Sequence, residues 1–266
     1  MPVILGGNTG IYLASLAPAF DPDAQAFITA AAITDPTQQS AINQLVIDLK
    51  GYSIWTKMKA LYPMVGGTAT SMKWNLKDPR DLDIAFRLLF IGGGTWDANG
   101  YTPNGSNGYA DTKLNPLLNL SQNSTHISYY SRTNNDANSV EIGVRSGASI
   151  DSLLQIKVGN VFVAAINESY NGALNAANTN GQGFYVGNRT ASNLRNNWKN
   201  GSKQYTATST SGTQANLNYF IGALGGGFYS TKQCAFSSIG DGLTDTEAAN
   251  FYTAVQTFQT TLGRNV

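Results

Sequence analysis

The stretch Asn197-Trp198-Lys199-Asn200-Gly201 decides how the second half of this chain is read. Asn and Gly are the residues that most readily accept a positive φ, and an Asn-Gly pair closes a tight β-hairpin whose twist matches its strands. Trp198 lies just before the turn and Tyr205 just after it, so the hairpin has aromatic residues to pack on both arms. Working outward, short alternating runs recur between turn signals. His126 to Arg132, Val140 to Ser146, Leu153 to Val158 and Val161 to Ile166 are expected strands on the N-terminal side. Phe184 to Asn188, Gln204 to Thr208, Tyr219 to Leu224 and Cys234 to Ile239 continue the series. In Val140-Glu141-Ile142-Gly143-Val144-Arg145 the apolar residues take every second position, the pattern of a half-buried antiparallel strand. Many short strands with regular turns point to a β-sandwich.

The sandwich ends in a helix. Thr244 and Glu247 are spaced as a capping box, in which each side chain satisfies the other's free backbone N–H, and Leu243 precedes them. Ala248, Phe251, Tyr252, Val255, Phe258 and Leu262 then form one apolar stripe. Such a helix is marginal alone, so it should dock on the sandwich.

The N-terminal part reads differently. Asp21-Pro22 and Asp35-Pro36 each place an N-cap before a proline at the first helical position. The first opens a helix to about Ala32. The second, with Gln38 at capping-box spacing, opens one carrying Ile42, Leu45, Val46 and Leu49 on one face and ending near Gly51. A short helix is expected from Ile54 to Tyr62, and Asp78-Pro79 looks like a third start. Ile84 to Ile91 fits helix or buried strand equally. Gly92-Gly93-Gly94 and Asp97 to Asp111 read as a long loop. These boundaries divide the chain into an arm (1–20), a helical region (21–80) and a sandwich with its closing helix (81–266).

Of the 266 residues 42% are hydrophobic and only 12% charged, against about a quarter charged in ordinary domains. The surface is therefore solvated largely by neutral amides and hydroxyls. With a net charge of +1 and no run of like charge, the chain shows no footprint for nucleic acid or an anionic membrane. The opening segment Met1 to Phe20 lacks a basic start and a long apolar run, so neither a signal peptide nor a membrane span is expected. One cysteine, Cys234, excludes an internal disulfide and a Cys-rich zinc site.

Catalytic chemistry finds little support. A retaining glycosidase needs two carboxylates about 5 Å apart. Glu141 is the one strand acid that suggests itself, and its same-face neighbour is Gly143, so it reads as a solvated residue paired with Arg145 or Arg132. His126 is the single histidine and has no G-x-S-x-G elbow to accompany it, so a packing or surface role is expected. Cys234 reads as a small core residue. Gly92-Gly93-Gly94 is not followed by a P-loop Lys. No catalytic residue is assigned.

Binding chemistry is better represented. Trp96, Tyr101, Tyr109, Tyr185 and Trp198 lie in or beside Asn/Gly-rich segments, and aromatic faces among neutral hydrogen-bonding groups suit sugars, which offer both CH patches and hydroxyls. The same rings would also serve in a core or a subunit interface. Asp97, Asn99 and Asp136 are weak candidates for Ca²⁺, which needs six to eight oxygen ligands; ordinary Asn/Asp turns explain them as well. No other cofactor is expected.

Two resemblances sharpen these expectations. Asn197 to Gly201, Tyr219-Phe220-Ile221-Gly222, Phe236-Ser237-Ser238-Ile239-Gly240 and Leu243 to Glu247 follow one another as in the tail of concanavalin A-like, laminin-G-like jelly rolls. That resemblance spans roughly residues 120 to 262 and implies a mainly β, lectin-like antiparallel sandwich with N-terminal helices and a C-terminal helix. Asp23 to Ala31, Trp55 to Pro63 and Asn75 to Asp81 are similar to a block of tailed-bacteriophage virion proteins. This second resemblance implies a non-enzymatic head fibre, capsid decoration or tail-fibre protein located on the virion. Its partners would be its own copies, with a trimer favoured, other virion proteins through Met1 to Phe20, and host-surface polysaccharide. A free-standing lectin module is the alternative, and a glycoside hydrolase or polysaccharide lyase the second alternative.

Overall fold

A computed structural model describes residues 19–147, 151–170 and 174–266. Three layers stack in it: helices, a first sheet and a second sheet. The helix layer holds α1 (Pro22–Ala30), α2 (Pro36–Gly51) and α5 (Asp245–Thr261); α3 (Ala69–Met72) and α4 (Pro116–Asn119) are single turns. The strands in chain order are β1 (Met58–Tyr62), β2 (Leu89–Ile91), β3 (Gly94–Asp97), β4 (Gly100–Pro103) and β5 (Tyr109–Asp111). Next come β6 (Thr125–Ser131), β7 (Ile142–Arg145), β8 (Asp151–Val158), β9 (Val161–Glu168) and β10 (Leu174–Ala177). The last are β11 (Gly183–Ala191), β12 (Leu194–Lys199), β13 (Ser202–Ala207), β14 (Phe220–Ile221) and β15 (Cys234–Gly240).

Among the described residues the first sheet runs β13-β12-β11-β6-β15-β4-β3, with β1 also paired to β15. The second runs β10-β9-β8-β7-β14-β5-β2. Every pairing is antiparallel. The expected hairpin at Asn200-Gly201 is present, with φ of 49° and 72°. Asn200 also bonds outward: its Oδ1 accepts the Phe184 N–H at 2.7 Å, tying the turn to β11. The capping box at Thr244 and Glu247 is formed from both sides. At Asp35 only half of one exists. The Asp35 carboxylate accepts the Gln38 N–H at 2.8 Å, but the Gln38 side chain accepts from Gly66 instead.

Strand alternation sorts the first sheet's side chains between two cores. Tyr130, Phe184, Val186, Trp198 and Phe236 face the helices, where they meet Phe27, Leu45, Leu49, Phe251 and Phe258. Ile127, Tyr129, Tyr185 and Ile239 face the second sheet, where they meet Ile142, Leu154, Phe162 and Ile166. Each fully buried large apolar side chain contributes on the order of 1.5–3 kcal/mol. The face of α2 marked by Ile42, Leu45, Val46 and Leu49 thus packs within its own chain.

Several local expectations are corrected. Ile54 to Tyr62 is not a helix: one 3₁₀ turn, Trp55–Lys57, leads into β1. Met58 and Leu61 of β1 enter the helix-side core while Ala60 and Tyr62 enter the other, so burial on both faces hides the strand's alternation. The first sheet therefore draws a strand from the region read as helical. Asp78-Pro79 opens no helix, and Ile84 to Ile91 resolves into the end of a 3₁₀ turn and the edge strand β2. The expected loop of Gly92–Asp111 holds β3, β4 and β5. The arm Met1 to Phe20 lies outside the described residues except for its last two positions.

Candidate functional site

The helices cover one face of the first sheet and the sheets cover each other, which leaves the outer face of the second sheet. Its side chains follow from register. Leu89, Asp111, Phe220, Gly143, Leu153 and Ala165 align across β2, β5, β14, β7, β8 and β9. Arg145 and Asp151 form the next pair on β7 and β8. Val140, Leu153, Ala165 and Leu224 close up into a small apolar floor separate from both main cores. Gly143 permits this: a Cβ there would lie 2.9 Å from both Leu153 Cβ and Val140 Cγ1.

Above the floor is a cavity of about 210 Å³ lined by Asn138, Arg145, Gln155, Tyr170 and Phe228. Phe228 and Tyr170 are 44% and 40% exposed, a large apolar area for two surface rings. Phe228 is set by the turn before it. Gly225 and Gly226 take φ of 55° and 81°, and Leu224 and Gly227 exchange two backbone hydrogen bonds of 2.9 Å. Two successive positive φ values are cheap only for residues such as Gly, which is why this turn is glycine-built. Phe228 itself has φ 51°, and its carbonyl accepts the Val140 N–H. The ring then sits beside Arg145, whose guanidinium carbon is 5.8 Å from its centroid.

Arg145 is held from below. Its Nε and Nη2 donate to the two Asp151 carboxylate oxygens at 2.6 and 3.2 Å. Asp151 is buried, whereas a third of Arg145 is exposed. On the far wall the Tyr170 hydroxyl donates to Gln155 Oε1 at 2.7 Å, and Gln155 Nε2 donates to Asn138 Oδ1 at 3.1 Å. This chain of hydrogen bonds fixes the orientation of both amides against the cavity. Beyond Arg145, Tyr109 packs on Phe220 at 4.6 Å and faces Tyr229 at 6.3 Å between centroids.

The five aromatic residues singled out from sequence do not converge. Tyr101, Tyr185 and Trp198 are buried, and Tyr185 and Trp198 belong to opposite cores, because strand alternation turns these rings inward. Burial pushes the phenols of Tyr101 and Tyr185 up in pKa, so neither ionises near neutrality. Trp96 is half-buried against Tyr101 and Phe90 at the rim of the inter-sheet core. Tyr109 alone of the five borders the outer face. Tyr170, Phe228 and Tyr229 were missed. The signal present in sequence was Gly225-Gly226-Gly227 directly before two aromatics.

The carboxylates of the oxygen-rich runs accept hydrogen bonds from within the chain. Asp97 Oδ1 accepts the Asn99 N–H at 2.7 Å, and Gln233 Nε2 donates to the same carboxylate. Asp136 accepts the N–H groups of Gly159 and Asn160 at 2.8 Å each, which lowers its pKa. Among the described residues no group of three or more His, Cys, Asp or Glu could hold a metal ion.

Glu141 is not the solvated residue expected. It is fully buried, ion-paired with Lys232 at 3.1 Å, and accepts from Ser139, Ser230 and the Ile156 N–H. Glu168, a second strand acid, is buried too; it is ion-paired with Arg195 and accepts from Ser209. His126 packs on Phe251 under the helix layer. Its Nδ1 must donate to the Asp241 carbonyl at 2.6 Å, since a carbonyl only accepts, so Nε2 accepts from Ser238. Burial holds its pKa down at about 4. Cys234 is buried, and desolvation pushes its thiol up to about 12, far from a reactive thiolate.

The architecture defines the fold class: mainly β, two antiparallel sheets packed as a jelly-roll sandwich with helices over one face. No protein-family model and no curated protein matches the chain. Solved structures do match in fold. Botulinum neurotoxin type C, whose entry into cells depends on interaction with two ganglioside molecules, superposes with a TM-score of 0.55 at 13% identity, over 77% of this chain and 52% of that one. The binding domain of botulinum neurotoxin serotype D gives 0.50 at 10% identity, over 76% and 51%. Domain 4 of an extracellular arabinanase from Geobacillus stearothermophilus, in complex with arabinotriose, gives 0.48 at 12% identity, over 73% and 98%. The chain thus spans about half the length of the two toxin chains it matches.

Proposed function

We propose that this protein is a non-enzymatic, lectin-like module that binds carbohydrate on the outer face of its second sheet. One observation carries the reading: two exposed rings, Tyr170 and Phe228, stand around a cavity whose polar lining is the fixed set Asn138, Gln155 and Arg145. Rings give CH-rich sugar faces a surface to stack on, and positioned amides and guanidinium groups satisfy hydroxyls. That a jelly-roll neighbour depends on gangliosides is in keeping with this use of the scaffold. The neutralised, inward Glu141 and the pairing of Glu168 favour binding over hydrolysis. A glycan array probed with the purified chain tests the proposal. Selective binding lost in Phe228→Ala is expected; polysaccharide turnover abolished by Glu141→Gln would overturn the non-enzymatic part.

We further propose that the module serves as a structural component of a tailed-phage virion, a head fibre, capsid decoration or tail fibre, assembled as a homo-oligomer with a trimer favoured. The support is the similarity of Asp23 to Ala31, Trp55 to Pro63 and Asn75 to Asp81 to such proteins; the first two segments form most of α1 and the 3₁₀ turn with β1. Mass spectrometry of purified particles checks this: the chain should be recovered in fixed stoichiometry with the major capsid protein. Its absence from particles would leave the free-standing lectin.

A further inference from the structure

The outer face holds a second cavity, which shares Arg145 with the first and counts as a second lobe beside it. Asp111, Leu217, Asn218 and Phe220 line about 130 Å³ on the far side of Arg145, and Arg145 lines both lobes. Each lobe has its own ring, Phe228 or Tyr170 in the first and Phe220 in the second. The charges lining the two lobes are closed off in pairs. Arg145 is forked on Asp151, and Asp111 bonds Lys113 Nζ at 2.9 Å and Asn218 Nδ2 at 3.1 Å. Among the described residues no hydrogen bond engages Arg145 Nη1, which leaves the two N–H donors of that nitrogen, on a charge-neutralised guanidinium, at the boundary between the lobes.

Resting on the carbohydrate reading above, we propose that the groove takes a neutral oligosaccharide of at least two sugar units, laid across Arg145, and discriminates against glycans carrying a carboxylate. An acidic sugar reaching for the paired edge of the guanidinium would have to displace Asp151, and one seated on Nη1 would meet a charge already neutralised by Asp151, with the Asp111 carboxylate lining the same cavity. Asp151 is buried and cannot swing into solvent to make room. Leaving a buried carboxylate without its partner is strongly unfavourable. A neutral hydroxyl meets neither obstacle: it accepts from Nη1 and leaves the fork intact. Rings on both sides of the guanidinium give successive sugar units a stacking surface each, whereas a single sugar fills one lobe.

The test uses the full chain on an array of matched glycans that differ by one acidic sugar, lactose and sialyllactose among them. Titration calorimetry of the best neutral binder against its constituent monosaccharide follows. The neutral member of the pair is expected to bind about tenfold or more tighter than its acidic partner, and the oligosaccharide about tenfold or more tighter than the monosaccharide. Asp151→Asn should erase the discrimination by freeing the guanidinium. Should that variant fail to fold, Phe220→Ala keeps the test alive: it should bring oligosaccharide affinity down to the monosaccharide level. Preference for the sialylated glycan, or equal affinity for monosaccharide and oligosaccharide, would overturn this inference while leaving the carbohydrate reading standing. Failure of every glycan, neutral and acidic, would sink both.

Discussion

The two outer faces of this sandwich obey the same alternation and end up opposite in character. On the first sheet the outward residues are Tyr130, Phe184, Val186, Trp198 and Phe236, and three helices seal them. On the second they are Leu153 and Phe220 interleaved with Asp111, Arg145, Asp151 and Gln155, and among the described residues no helix lies across them. The polar residues beneath the helices are also closed among themselves: His126, Ser238 and Ser128 form one hydrogen-bonded chain. A face meant for helices can therefore be nearly all apolar, because its few polar groups find partners inside the chain. The uncovered face keeps rings and fixed donors together, the mixture a sugar can use. The helix-sealed core and the proposed binding surface thus lie on opposite sides of one molecule, and substitutions should separate stability from binding.

The largest effect should come from the sealed side. Leu45→Asp places a carboxylate in a buried apolar contact between α2 and the rest of the helix-side core, costing about 4 kcal/mol or more. Loss of near-ultraviolet circular dichroism and of the cooperative unfolding transition would register it; a folded variant with an altered oligomeric state would place Leu45 at a subunit contact instead.

Next comes Lys232→Met, which strands Glu141 without its cation. Removing one partner of a buried pair costs about 3–5 kcal/mol. Adding Glu141→Gln to the same chain should recover much of the loss in denaturant unfolding, since the uncompensated charge is then gone.

The third effect is on pH. His126 is neutral in the fold, with its pKa depressed to about 4 by burial from an ordinary value near 6.5. Between those values the unfolded chain binds the proton and the folded chain does not. The stabilisation is therefore fully present above about pH 6.5 and is lost as pH falls to about 4, amounting to about 3 kcal/mol. Denaturation curves measured through that window should show the slope in the wild type and a flatter one in His126→Gln.

The sequence disclosed what local chemistry dictates. The Asn200-Gly201 turn and the Thr244–Glu247 box are each settled by two residues and their backbone, so their reading survives intact. It hid whatever depends on which neighbour covers a segment. Met58–Tyr62 is buried from both sides, so it shows no alternation and passes for helix. Near Glu141 the period breaks: Val140 lies on the outer floor and Ile142 in the inter-sheet core, so the acid between them points to neither expected place. Tyr170 and Phe228 come from distant loops and are brought together through the pairing of β14, β7, β8 and β9, a long-range fact that no short motif records.

The most direct measurement is calorimetric titration of an array-selected glycan into wild-type protein, Phe228→Ala, Tyr170→Ala and Trp96→Ala, each checked for its melting temperature. Phe228 and Tyr170 are surface rings, so truncating either should leave stability within about 0.5 kcal/mol of the wild type. The predicted result is an affinity loss of about tenfold or more in both, at unchanged melting temperature, with Trp96→Ala binding normally. Glycan binding that survives both outer-face substitutions, or disappears only with Trp96, would contradict the assignment of the second sheet's outer face as the binding surface.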